Sequence, residues 1–201
     1  MNRIKFPFFI LLISLAAGIT ACDKDKLGAV GSSYGIFTVT DDSTATLNGV
    51  IRGKTLRHFE KLMKKHPDIQ TLSMQDMPGS ADDETNVQVG RAVYARALDT
   101  HIADNGEIAS GAVDLFLAGS KRTHGANVKV GVHSWSSGGT EAKDLAEDDP
   151  QHDLFINYYK DIGIRDSMAR AFYFFTIQAA PAADIHWMTE AELEAYEIFT
   201  E

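Results

Sequence analysis

The stretch Gly106–Arg122, GEIASGAVDLFLAGSKR, decides how the rest of the chain is read. Its small residues followed by Leu115, Phe116 and Leu117 give the pattern of a buried helix, read here as Ala109–Ala118. Two residues do not suit a plain core helix: Ser110 sits in its first turn and Asp114 in the middle of its apolar run. A serine at a helix N-terminus is either a cap or a nucleophile, since the unpaired N–H groups and positive dipole end there can stabilise an oxyanion. Asp114 lies at i, i+4 from Ser110, on the same face. A carboxylate there needs a partner: in one reading Asp114 faces solvent or a neighbouring subunit and pairs with Arg122 or Lys121, and in the other it helps orient the site.

The elements around this stretch alternate. Ile36–Ile51 is β-branched, with a turn at Asp41-Asp42, and reads as one or two strands. Gly53–Asp68 places Leu56, Phe59, Leu62 and Met63 on one helical face and ends at Pro67. Ile69–Gln75 reads as a strand, Asn86–Leu98 as a helix, Asp99–Asn105 and Asn127–Trp135 as strands. Such an order implies βαβ units and a mostly parallel sheet. Ser136–Asp153 is polar, acidic and Gly-rich, and reads as a flexible loop or lid. Leu154–Gln178 is two helices broken near Gly163, with Phe172–Phe175 as core, and Thr189 with Glu192 forms a capping box before a short terminal helix.

The first residues carry a different message. MNRIKFPFFILLISLAAGITAC has Arg3 and Lys5, then an apolar run from Phe6 to about Ile19, the grammar of a secretory signal. Ile19-Thr20-Ala21-Cys22 fits a lipobox, so residues 1–21 are expected to be a lipoprotein signal peptide and Cys22 to carry the lipid. Cys22 is the only cysteine, which excludes an intramolecular disulfide. Asp23 resembles the signal that retains a lipoprotein in the inner membrane, so the mature protein is expected to face the periplasm on a membrane tether, residues 22–35. Loss of Arg3 and Lys5 takes the net charge from −9 to −11, which argues against nucleic acid. The remaining residues, 36–201, suit a single domain.

Chemistry concentrates on one rim. In a parallel sheet the strand C-termini line a common edge where clefts form. Ser110 opens a helix there and His133 ends the strand VKVGVH. Met77-Pro-Gly-Ser80 ends an earlier strand with a turn whose N–H groups can be aimed at the same spot. A nucleophile, a base and an oxyanion loop would be the parts of a serine hydrolase, although each residue by itself also fits a structural role. Seven histidines include no HExxH pattern and no tight His/Asp cluster, so no metal is expected. No phosphate loop or ATPase motif occurs, and no cofactor is expected.

ASGAVDLFLAG, then VKVGVHSW, with MPGS upstream, resembles the Clp protease proteolytic subunit and its periplasmic relatives in the Clp/crotonase superfamily. The resemblance runs from Phe37 to the C-terminus and implies a ββα superhelix with a mostly parallel sheet. It implies Ser110 as nucleophile and His133 as base, with oxyanion donors on the backbone of Gly79 or Ser80 and of Gly111. It also implies an acid before the last helix, at Asp184, with one residue more than the family spacing; Asp161 and Asp153 are the alternatives. Met-Pro-Gly-Ser replaces the family's Ser-Pro-Gly-Gly, so a positive φ at Ser80 would be strained. The family's relatives assemble into trimers, hexamers and heptamers, which leaves a homo-oligomer open. Three functions follow: a peptidase acting on a peptide or protein, a retired enzyme that binds one, or an acyl-CoA enzyme. The last is disfavoured, because coenzyme A is not expected outside the cytoplasm.

Overall fold

The computed structural model describes residues 29–200. The expected signal peptide, Cys22, Asp23 and the first part of the tether lie outside the described residues. The last part of the tether is built into the fold: β1 (Ser33–Tyr34) pairs antiparallel with β2 (Phe37–Val39), so the sheet begins earlier than its apolar pattern indicates. β2 turns at Asp41–Ser43, where Asp41 Oδ1 accepts from Ser43 N, into β3 (Thr44–Leu47).

From β3 onward the chain winds as the sequence implies. β3, β4 (Thr71–Met77), β5 (Asp99–Ala109) and β7 (Lys129–Val132) lie parallel in that order. Helices α1 (Thr55–Lys65), α2 (Asp83–Ala95) and α3 (Gly111–Leu117) follow β3, β4 and β5 in sequence. α1 buries Phe59 and Leu62 and ends in Lys64 and Lys65, which suit the negative end of its dipole. α2 is capped by Asp82, whose carboxylate accepts from Thr85 N at 2.9 Å. Phe59, Leu72, Met74, Ile102, Ile108, Leu115 and Phe116 are buried in one continuous core.

β5 corrects the reading of the opening stretch. Ala109, read as the first residue of the helix Ala109–Ala118, is strand, and β5 runs on past Asn105 through Glu107–Ala109: Glu107 and Ile108 pair with Asp76 and Met77 on one side, and all three pair with Lys129–Gly131 on the other. The first half of β5 pairs instead with a short strand, β6 (Arg122–His124), and the register against β4 shifts between Met74 and Asp76. Two flanking strands satisfy the backbone here, which the local run of small residues does not reveal.

The polar segment after Trp135 holds a two-strand ribbon, β8 (Ser136–Ser137) and β9 (Thr140–Glu141), and two single 3₁₀ turns. It is tied down: Ala142 N donates to Trp135 O at 2.9 Å, and buried His152 joins Tyr173 OH through Nδ1 at 2.7 Å. α4 (Asp153–Asp161) and α5 (Asp166–Ala179) follow, broken at Gly163, with Phe172 and Tyr173 buried. A last strand, β10 (His186–Trp187), runs antiparallel to β7, and Thr189 and Glu192 make the reciprocal capping box of α6 (Glu190–Ala195). Among the described residues no helix is long and apolar enough to cross a membrane.

Candidate active site

Ser110 occupies the one-residue joint between β5 and α3, with φ 54° and ψ −133°. Side chains seldom adopt that backbone, at a cost of about 1–3 kcal/mol. The joint is fixed from both sides, by Ser110 N donating to Gly131 O at 2.9 Å and Val113 N donating to Ser110 O at 2.8 Å. The side chain makes no capping hydrogen bond, so the cap reading of this serine does not describe its role. A strained strand-to-helix turn that lifts a free hydroxyl to a sheet edge is the geometry used to present nucleophilic serines.

The Met77–Ser80 turn packs directly on this joint. A Cβ built on Gly79 would lie 2.8 Å from Ser110 Cβ and 3.3 Å from Ser110 Oγ, and Gly79 holds φ +129°. The positive φ therefore falls on the glycine, and Ser80 is not among the residues of positive φ. Ser80 faces Gly111, whose added Cβ would come 2.7 Å from Ser80 Cβ, and Ser80 Oγ donates to Asp83. No acceptor among the described residues takes the N–H of Gly79, Ser80 or Gly111. These groups surround the serine where an oxyanion would form.

Ser110 and His133 line one cavity of about 50 Å³, with Asp83, Asp114, Trp135 and Tyr159 also in its wall. No hydrogen bond joins the serine to the histidine, and His133 Nδ1 is buried without a partner. The register of β10 fixes which residue faces this histidine. His186 pairs with Val132 and Trp187 with Gly131, so the next residue, Ile185, falls opposite His133. The space above Gly131 is filled by Ile185 Cγ2 and the Trp187 ring.

Asp184 is one step removed, on an exposed turn, where its carboxylate accepts from Ile185 N at 2.8 Å. Asp161 pairs with Arg91 at 2.8 Å, and Asp153 is exposed at the start of α4. None of these three acids lines the cavity. The extra residue that separates Asp184 from Met188 is the sequence signal for this offset.

The acid that does line the cavity is Asp114, and it is buried rather than solvent-facing. Tyr159 OH donates to Oδ1 at 2.6 Å and Asn86 Nδ2 donates to Oδ2 at 3.3 Å. Tyr158 OH donates to the Asp114 carbonyl at 2.6 Å. Arg122 is engaged elsewhere, donating to the carbonyls of Ile198 and Glu197. Burial pushes the Asp114 carboxyl up to about 7; the Tyr159 hydroxyl opposes the shift and the Asp83 charge adds to it. Burial likewise holds the Tyr158 and Tyr159 phenols well above their usual value, and Tyr173 is raised to about 12. Among the described residues no cluster of three His, Cys, Asp or Glu side chains could hold a metal ion.

No family model matches the chain, and no curated protein matches it. Solved structures do. A serine-to-alanine mutant of the 1510-N membrane-bound stomatin-specific protease superposes with TM-score 0.53 at 13% identity, over 79% of this chain and 77% of that one. A lysine-to-alanine mutant of the same protease, in complex with a substrate peptide, gives 0.53 at 14%, over 79% and 73%. ClpP1 from Listeria monocytogenes gives 0.48 at 14%, over 80% and 91%. The likeness is one of architecture: this chain is a single α/β domain with a mostly parallel sheet and a Clp protease-like fold.

Proposed function

We propose that the protein is a serine peptidase in which Ser110 attacks and His133 is the general base. The observation that carries this reading is the joint at Ser110: a serine at φ 54°, with Gly79 against its side chain and His133 in the same cavity. Ser110 Oγ would attack the peptide carbonyl carbon as His133 takes its proton. The oxyanion would draw on the N–H groups of Gly79, Ser80 and Gly111. His133 would pass the proton to the leaving amine, and a water would then cleave the acyl-enzyme by the same base. We place the domain at the periplasmic face of the inner membrane, held by lipid on Cys22, from the leader sequence and Asp23.

A second reading is favoured by one observation, the unpartnered Nδ1 of His133. Without an acid to orient the imidazole, the same cavity would serve as a peptide-binding site with no turnover. Reaction of the mature protein with a fluorophosphonate probe separates the two. The peptidase reading expects covalent labelling of wild type that is lost in Ser110→Ala and in His133→Ala. A folded wild type that takes no label would overturn the peptidase reading and favour the binding one.

A further inference from the structure

The cavity does not end at the serine. It continues along α3 to Asp114, one turn further, or roughly 6 Å at 1.5 Å per residue. Its walls there are aromatic, from Trp135, Phe155, Tyr159, Phe172 and Tyr173. Its volume of about 50 Å³ has room for roughly four water-sized groups. Acceptors outnumber donors at the far end. Asp114 receives only Tyr159 and Asn86, and Asp83, whose carboxylate takes Ser80 Oγ, stands in the same wall.

We infer that this cavity is the pocket for the substrate residue preceding the cleaved bond, and that it selects a primary amine side chain of lysine length. The inference rests on the peptidase reading for its placement next to the scissile bond. A four-carbon stem spans about the distance from Ser110 to Asp114, and its ammonium brings three donors to a place that lacks them. Aromatic faces around a carboxylate are suited to a cation. In the ligand-free protein the Asp114 carboxyl holds its own proton more tightly than usual, as a buried acid without a cation must.

The test uses paired phosphonate probes that differ in one atom at the end of the side chain, lysyl against norleucyl, on the mature protein. The lysyl probe is expected to label Ser110 about 30-fold faster, the scale of one buried charge-assisted hydrogen bond. In Asp114→Asn the two rates are expected to agree within about threefold. Equal rates in wild type would overturn the amine pocket while leaving the Ser110–His133 reading intact. A second measurement needs neither turnover nor the Asp114 variant: thermal shift of Ser110→Ala with n-butylamine against n-butanol. A larger shift with the amine supports the pocket even if no probe labels, a result that would sink the peptidase reading alone. Equal shifts with no labelling overturn both.

Discussion

The two halves of the candidate site are built to different standards. On the serine side every part is over-determined. Ser110 is pinned by hydrogen bonds from both flanks, Gly79 leaves no spare room beside it, and three N–H groups stand free around it. On the histidine side the imidazole has a buried nitrogen with no partner, and a hydrophobic residue sits where its neighbour strand could supply an acid. Strained backbone persists only where the surroundings enforce it. An unsupported histidine needs no such enforcement, so under the proposed peptidase reading its half is the one that variants are expected to improve. The difference teaches that the backbone around Ser110 and the surroundings of His133 are set by separate parts of the chain, the first by the Met77–Ser80 turn and β7, the second by β10.

The largest effect belongs to Asp114. Its carboxyl lies at about 7 in the folded chain against 3.8 when unfolded. Between those values the folded state keeps a proton that the unfolded state has released, so stability is full below about pH 4 and falls as pH rises to about 7. The loss is about 4 kcal/mol, since each pH unit between the two values costs about 1.36 kcal/mol. Asp114→Asn is expected to remove that slope. Urea unfolding of wild type and variant at pH 5 and pH 8.5 reads about 3 kcal/mol of that loss, the part above pH 5, and parallel pH profiles would show that the carboxyl is not held where the cavity puts it.

Next in size is Gly79→Ala. Its methyl would stand 2.8 Å from Ser110 Cβ at φ +129°, so a destabilisation of about 3 kcal/mol is expected, with loss of fluorophosphonate labelling. Survival of labelling would mean that the turn does not set the serine. On the histidine side, Ile185→Asp offers Nδ1 the missing acceptor. Labelling of Ser110 is expected to rise about tenfold at neutral pH, the sense in which an orienting acid acts. An unchanged rate would show that orientation does not limit this site.

The smaller effects test the frames that carry each half. Ser110→Gly relieves the strained joint and is expected to raise stability by about 1 kcal/mol while abolishing labelling. Thr189→Ala removes the capping box just beyond β10 and is expected to lower it by about 1 kcal/mol, measured by the same unfolding curves.

Much of this was legible in the sequence, for local physical reasons. Phe59 and Leu62 mark a helical face because their spacing follows the helix turn, and Thr189 with Glu192 marks a helix start because the cap is made within four residues. The alternation of strand and helix patterns pointed to a mostly parallel sheet. The motifs at Met77–Ser80, Ser110 and His133 pointed to one edge, since parallel strands end together. What the sequence could not hold were relations between distant segments. The strand character of Glu107–Ala109 comes from neighbours on both sides, and the burial of Asp114 comes from Tyr159 and Asn86, 45 and 28 positions away. The face of β10 that meets His133 is set by a pairing register, and a slip of one residue exchanges Ile185 for Asp184. Composition and local spacing determined which elements form; only tertiary pairing decided which side chains share the cavity, because register and burial are properties of two segments at once.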